Sequence, residues 1–119
     1  MSISFSVPLL PPSVNLYKRP RKGHQWYLGE QAKAFFDAVG YLGPKQKIEA
    51  EFYQVHLKFK FQQKSLLRGD LDNLLKVSID SLVRNGIIGD DRYIIRLLAH
   101  KCPAASREEE GTEFEILGI

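Results

Sequence analysis

The stretch Arg68-Gly69-Asp70-Leu71-Asp72-Asn73-Leu74-Leu75-Lys76 combines the start of a helix with a concentration of charge. Apolar residues recur every three or four positions from Leu71 to Leu82, which predicts an amphipathic helix from about Leu71 to Asn85. Gly86 stands where a glycine commonly ends a helix. The side chains expected to face inward are Leu71, Leu74, Leu75, Ile79 and Leu82.

Carboxylates gather on the opposite side of this helix and just beyond it. Asp72, Lys76 and Asp80 are spaced i, i+4, i+8 and form one stripe, with Asp70 just before the helix. After the helix, Gly86-Ile87-Ile88-Gly89 leads into Asp90-Asp91. Neighbouring residues of an extended segment point to opposite sides, so only one of this pair is expected to reach the pocket directly.

Grouped carboxylates repel one another and are tolerated together when a divalent cation neutralises them. Mg²⁺ and Mn²⁺ favour such hard oxygen ligands. Asp70, Asp72 and one of Asp90 and Asp91 are therefore candidate metal ligands, and Lys76 is placed to steady a phosphate or the charge developing on it. One metal ion or two is left open.

Each element of this pattern also has an ordinary explanation. An aspartate at a helix N-terminus is a common cap. Asp72 with Lys76 is an ordinary surface ion pair, and Gly-Asp-Asp is an acceptable turn. The metal hypothesis depends on all three features occurring together in a chain with a basic first half.

Charge is unevenly distributed along the 119 residues. Residues 1–69 hold eleven Lys and Arg against four Asp and Glu, and residues 70–119 hold six against ten. This pattern predicts a basic region that contacts phosphates and an acidic region that holds metal. Aromatic residues interleaved with the cations around Lys18–His24 favour nucleic-acid contact, although such runs are often solvated loops. The candidate DNA-binding residues are Asn15, Tyr17, Lys18, Arg19, Arg21, Lys22, Lys58, Lys60, Lys64 and Arg68.

The remaining pattern predicts an α+β fold in a single domain over residues 1–119. Strict alternation predicts strands at 2–8 and from about Ile48 to Phe61, and an amphipathic helix is expected between Gly29 and Gly40. Residues 13–25 are expected to be irregular, and two more strands should follow at about 93–102 and 113–117. The predicted order is β-α-β-α-β-β, a mixed sheet with two helices packed on it.

A few residues bear on compartment and chemistry. The single cysteine, Cys102, excludes an intrachain disulfide and suits a reducing cytoplasm; it is expected to fill the core. No apolar run approaches a membrane span, and the N-terminus lacks the order of a signal peptide. The expected location is cytoplasmic, with no membrane partner. His24, His56 and His100 show no ligand spacing and are interpreted as structural or phosphate-adjacent.

Two motifs together carry a resemblance to a known family. Asp-Leu-Asp-Asn-Leu-Leu-Lys at 70–76, followed by Gly-Ile-Ile-Gly-Asp-Asp-Arg-Tyr-Ile at 86–94, resembles the RusA family of Holliday-junction resolvases of phages, prophages and bacteria. Pro11-Pro12-Ser13-Val14-Asn15 is similar to that family's Pro-Pro-Ser-x-Asn signature. The resemblance covers essentially the whole chain.

The resemblance implies a homodimeric endonuclease that uses Mg²⁺ or Mn²⁺ and makes paired nicks across a four-way DNA junction. It implies that Asp70, Asp72 and Asp91 are the essential acidic residues, that Lys76 is the catalytic lysine, and that Asp90 is an accessory member of the pocket.

Two alternatives remain at this point. The chain could be a non-catalytic DNA-binding module, or a nuclease of the same fold that acts on other branched DNA. Leu66 and Leu67, in the polar loop before Asp70, are candidates for a wedge between base pairs or for packing against the sheet edge or a partner.

Overall fold

A four-stranded mixed sheet forms the centre of the computed structural model, which describes residues 2–12, 18–20 and 26–119; only the backbone of 18–20 and 26–28 is described. The strands are β1 (Ser2–Val7), β2 (Lys18–Pro20), β3 (Trp26–Leu28), β4 (Tyr53–Gln62), β5 (Ile94–Ala104) and β6 (Gly111–Gly118). The helices are α1 (Glu30–Leu42) and α2 (Leu71–Arg84), and short 3₁₀ turns occupy Gln63–Ser65, Asp91–Tyr93 and Arg107–Glu109.

The sheet has the order β1-β6-β4-β5. β6 pairs antiparallel with both β1 and β4, whereas β4 and β5 are parallel because α2 lies in the connection between them. The prediction of an α+β fold with a mixed sheet and two helices is confirmed. The predicted order omits a small antiparallel hairpin formed by β2 and β3, so the expectation of irregular chain was wrong for Lys18–Pro20.

The core lies between one face of the sheet and the two helices. Along β4 the odd-numbered residues Tyr53 to Phe61 are buried, as their alternation predicts, while the even-numbered ones are partly exposed. From α1, Ala32, Phe35, Phe36 and Val39 pack into this core. Cys102 is partly exposed on β5, so its expected place in the core was wrong.

The inward face of α2 differs in part from the prediction. Leu74 and Leu82 are buried as expected, but Leu71, Leu75 and Ile79 are only partly buried. The fully buried positions also include Val77, Ser78 and Ser81. The helix is therefore turned so that small serines face inward, and the Ser81 hydroxyl donates to the Ser78 carbonyl at 2.6 Å.

Helix α2 ends just before Gly86, as the sequence predicted. Gly86 has φ +70°, which an L side chain rarely adopts. The N–H of Gly86 donates to the Val83 carbonyl, and that of Ile87 donates to the Leu82 carbonyl. This double hydrogen bond is the Schellman pattern, and it turns the chain toward Asp90 and Asp91. No helix in residues 2–12, 18–20 and 26–119 is both long and apolar enough to span a bilayer.

Candidate active site

The loop before α2 is held in place from the neighbouring strand β5. The Lys101 ammonium donates to the carbonyls of Leu66 and Gly69, each at 2.6 Å, and lies 5.6 Å from the centre of the Phe61 ring. Gly69 has φ +78°, which gives the chain the sharp turn it needs before the helix. Together these features fix the position of Asp70.

Asp70 is the N-cap residue of α2, yet its carboxylate makes no capping hydrogen bond. Its backbone carbonyl accepts from the N–H groups of Asn73 and Leu74, at 3.1 and 3.2 Å. The ordinary explanation of Asp70 as a side-chain cap is therefore wrong, and its exposed carboxylate is available for another role.

The predicted stripe on α2 lies on the solvent side of the helix. Asp72 and Lys76 are exposed and Asp80 is partly exposed, whereas the buried residues of α2 occupy the other side. The helical spacing thus gives the arrangement expected from the sequence.

Asp90 caps the 3₁₀ turn that follows the helix. Its Oδ1 accepts the backbone N–H of Arg92 at 3.1 Å, and its Oδ2 lies 3.8 Å from Nε of Arg92. The hydrogen bond from the Arg92 backbone, followed by one with the Asp91 side chain, lowers the pKa of Asp90. Asp90 is thus engaged in the turn itself, as a supporting member of the group would be.

Asp91 lies between Asp90 and the charged stripe of α2. A side-chain hydrogen bond with Asp90 raises the pKa of Asp91, and loss of hydration and repulsion from Asp90 and Asp80 act in the same direction. Attraction to Lys76 acts in the opposite direction. The turn therefore lies close enough to α2 for the charges of Lys76 and Asp80 to act on Asp91. Asp80 was counted in the stripe from its spacing but was not predicted as a site residue.

The structure does not bring the predicted metal ligands close enough together to form a complete metal-binding site. Within residues 2–12 and 29–119, no three His, Cys, Asp or Glu side chains lie close enough together to hold a metal ion. Asp70 and Asp72 lie at the start of α2, whereas Asp91 has Asp80 and Lys76 as its neighbours along the helix.

Two comparisons with known proteins bear on this arrangement. The family model described as endodeoxyribonuclease RusA matches residues 8–116. The crossover junction endodeoxyribonuclease rusA of Enterobacteria phage HK97 is 34% identical over 83 residues, which cover 68% of each chain. The chain belongs to the RusA family. This membership confirms the resemblance drawn from the two motifs and places the chain among endodeoxyribonucleases.

The DNA-contact residues predicted for this RusA-family chain fall into three groups. Asn15, Tyr17, Arg21 and Lys22 lie outside the described residues, and Lys18 and Arg19 are described only as backbone of β2. Lys64 and Arg68 are exposed beside the start of α2, near Asp70. Lys58 and Lys60 lie on the open face of the sheet, where Nζ of Lys60 is 3.1 Å from a Glu113 carboxylate oxygen. That face is therefore less basic than the sequence of β4 predicts.

Two histidines form a further contact on the same open face, and their spacing in the sequence did not predict it. His56 Nε2 lies 3.3 Å from His100 Nδ1, and the other His56 nitrogen lies 3.9 Å from Glu115. The rings meet because β4 and β5 are neighbours, with Lys58 opposite His100 in the parallel register. Only knowledge of the strand order could have predicted this contact.

The basic arm, which is the segment Lys18–His24, gives a prediction about the salt dependence of DNA binding. Replacing Lys18, Arg19, Arg21 and Lys22 together with Ala should flatten the slope of log affinity against log salt by a few units, because each neutralised phosphate contributes roughly 0.9 of a unit. Titrations of a four-way junction at several salt concentrations measure this slope. An unchanged slope would mean that the arm is merely solvated, and the candidates for phosphate contact would then be Lys58, Lys60, Lys64 and Arg68.

The Asp90–Asp91 pair gives a prediction about pH and metal. The raised pKa of Asp91 means that its ionisation destabilises the fold as the pH rises through that pKa. Asp91→Asn should therefore slightly raise the melting temperature at pH 7, and the gain should vanish in acid, where the native carboxyl is protonated. Millimolar Mg²⁺ should raise the melting temperature of the wild type more than that of the variant. Equal Mg²⁺ shifts in both proteins would exclude Asp91 as a metal ligand.

Proposed function

We propose that this chain is a metal-dependent, structure-selective endonuclease that resolves four-way DNA junctions by paired symmetric nicks. Membership of a family of endodeoxyribonucleases supports hydrolysis of DNA. The name of its phage HK97 relative, a crossover junction endodeoxyribonuclease, supports the junction as substrate.

The observation that carries the proposal is the electrostatic grouping of Asp91 with Asp80 and Lys76, together with the exposed carboxylate of Asp70, which makes no capping hydrogen bond at the start of the same helix. Structural roles do not account for this charge, since the Asp70 side chain makes no capping hydrogen bond, and the hydrogen bond with Asp90 together with repulsion from Asp90 and Asp80 raises the pKa of Asp91. Such perturbed groups concentrate at functional sites.

The donor set fits Mg²⁺ or Mn²⁺. The carboxylates of Asp70, Asp72 and Asp91 are exposed hard oxygen donors, and repulsion among Asp80, Asp90 and Asp91 is the kind of excess charge that a cation relieves. A bound cation would supply a water of lowered pKa and withdraw charge from the phosphate. Asp70, Asp72 and Asp91 would hold it, and Asp90 would support Asp91 through their side-chain hydrogen bond.

Lys76 has a separate role in the proposal. Its exposed ammonium lies one helical turn beyond Asp72 and within electrostatic range of Asp91. In this position it would stabilise the negative charge that grows on the phosphate oxygens during in-line attack. A lysine suits this role because its compact charge can follow a moving phosphate.

The proposed enzyme acts as a homodimer, since a junction has two equivalent strands to cut and a twofold dimer presents two equivalent sites. The edge strand β5 supports this, because Ile95, Leu97 and Leu98 are exposed on it. Ile95 and Leu97 share a hollow of about 280 Å³ with Asp91. A second copy packed there would lie beside the acidic group.

The deciding experiment is cleavage of a panel of branched DNAs by the wild type with Mg²⁺, with EDTA, and by Asp70→Asn. Junction cleavage that EDTA and Asp70→Asn both abolish supports the proposal. Metal-indifferent binding without cleavage would indicate a non-catalytic DNA-binding module. Preferential cleavage of forks or flaps would indicate another branched substrate for the same chemistry.

The two loop leucines, which the sequence offered as equal candidates for the wedge, differ in burial in the structure. Leu66 packs against the core, whereas Leu67 is 97% exposed at the tip of the loop before Asp70. Leu67 is therefore the candidate wedge, which would open a base step at a cost of a few kcal/mol.

Leu67→Ser should leave the fold, the dimer and duplex binding intact but reduce junction opening and cleavage. Fluorescence of 2-aminopurine at the crossover measures the opening, and Tyr41→Ser, which alters an exposed ring on α1, is the matched control. Dissociation of the dimer in sedimentation would instead identify Leu67 as an interface residue. Unaltered fluorescence and cleavage would exclude the wedge.

A further inference from the structure

A cleft of about 670 Å³ opens where β4 ends and α2 begins. Gly69 and Asn73 line it, so they flank Asp70 on either side in the chain. The cleft therefore lies beside Asp70 at the start of α2, and its volume is within the range of protein sites that bind small molecules.

The rim of this cleft is cationic. Lys64 and Arg68 come from the loop before α2, and Arg107 comes from the 3₁₀ turn between β5 and β6. All three side chains are exposed. Glu110, the acidic residue among the lining side chains described, accepts the backbone N–H of Gln62 at 2.8 Å. Its carboxylate thus binds the backbone at the end of β4. With three cationic side chains against one carboxylate, the rim presents net positive charge to a ligand.

The floor of the cleft is apolar. Leu10, Phe61 and Leu74 line it, and Phe61 and Leu74 belong to the buried core. An apolar floor under a cationic rim matches a ligand with a flat, weakly polar part and an anionic part. A nucleotide has this composition, because its base and sugar can lie on apolar surface while its phosphate contacts guanidinium and ammonium groups.

The wall of the cleft is fixed relative to Asp70. The two hydrogen bonds from Lys101, to the carbonyls of Leu66 and Gly69, hold the segment that contributes Arg68 and Gly69 to the lining. A strand that entered the cleft would therefore be held at a constant distance from Asp70. Such fixed placement is what a nuclease needs to present one phosphate to its reacting groups.

We propose that this cleft binds one nucleotide of the DNA strand being cut, next to the scissile phosphate, with Arg107 contacting the phosphate of that nucleotide. This inference rests on the proposed function, and it adds Arg107 to the DNA-binding residues. Arg107 lies 37 positions after Asp70 in the chain, in a charged turn that the sequence presents as an ordinary solvated loop.

The test is a chemical double-mutant cycle between Arg107 and individual phosphates. Four-way junctions carry a single uncharged methylphosphonate at successive positions around the cleavage site, and affinity is measured in EDTA so that no strand is cut. Arg107→Ala should weaken junction binding about tenfold, the loss typical of one charge-assisted hydrogen bond. One methylphosphonate position beside the scissile phosphate should weaken wild-type binding equally, yet add little in Arg107→Ala.

Lys33→Ala is the matched control, since it removes one exposed positive charge from α1 and Lys33 is not among the residues that line the cleft. It should couple to no phosphate position. Losses from Arg107→Ala that are the same at every methylphosphonate position would overturn the inference, because they would mean only long-range attraction. Coupling in a wild type that cuts no junction with Mg²⁺ would instead leave the nucleotide cleft standing and reject the proposed nuclease function.

Discussion

Asp70→Asn, Asp72→Asn and Asp91→Asn should each abolish junction cleavage while leaving junction binding intact or tighter. Each substitution nearly preserves the shape of the side chain but removes a negative oxygen ligand. Lower negative charge beside the DNA also reduces repulsion of its phosphates. Cleavage of a labelled four-way junction with Mg²⁺, together with binding in EDTA, measures the two effects separately.

Two further variants test whether the loss of cleavage is specific to these three carboxylates. Asp37→Asn, which changes an exposed carboxylate on α1, is the control and should cut at the wild-type rate. Asp90→Asn should be milder than Asp91→Asn, because the Asp90 carboxylate already accepts the Arg92 backbone N–H within the turn and is expected only to support Asp91. Full activity in any of the three principal variants would remove that residue from the site. An inactive Asp90→Asn beside an active Asp91→Asn would reverse the assignment within the pair.

Lys76→Ala should lose most of the cleavage rate with little loss of junction affinity. One lysine among many phosphate contacts matters little for binding, whereas a charge directed at the reacting phosphate is worth on the order of 100-fold or more in rate. Single-turnover cleavage at saturating enzyme isolates the rate from the affinity.

The control for this variant is Lys33→Ala, which removes one exposed charge from α1 and should change neither quantity. Lys76→Arg should recover only part of the rate, because a planar guanidinium does not replace a compact ammonium at such a position. Equal losses of rate and affinity in Lys76→Ala would show that Lys76 only binds DNA.

Local sequence signals were sufficient where a structural element depends on its own residues. The alternation along β4 predicted its buried face, and the apolar spacing after Asp70 with Gly86 predicted both ends of α2. The same helical geometry placed Asp72 and Lys76 together on the exposed side. The two motifs also predicted the family to which the chain belongs.

Local patterns failed where two elements compete for the same surface. The spacing of α2 predicted Leu71, Leu75 and Ile79 as inward residues, and they do pack against the core, but only partly buried, whereas Ser78 and Ser81 are fully buried. Helical periodicity gives the width of an apolar face but not its rotation against the sheet, because the facing side chains decide that rotation.

The tertiary structure alone decided which distant residues meet. The sequence determined the helix, the alternating strands, the acidic motif and the family, since each depends on residues within a few positions of one another. The strand order brought His56 to His100, and the return of the chain after β5 brought Arg107 to the cleft beside Asp70. Packing also covered Leu66 while it left Leu67 exposed, and it brought Asp80 within electrostatic range of Asp91. Such contacts join segments far apart in the chain, and their geometry is fixed only when the whole core packs.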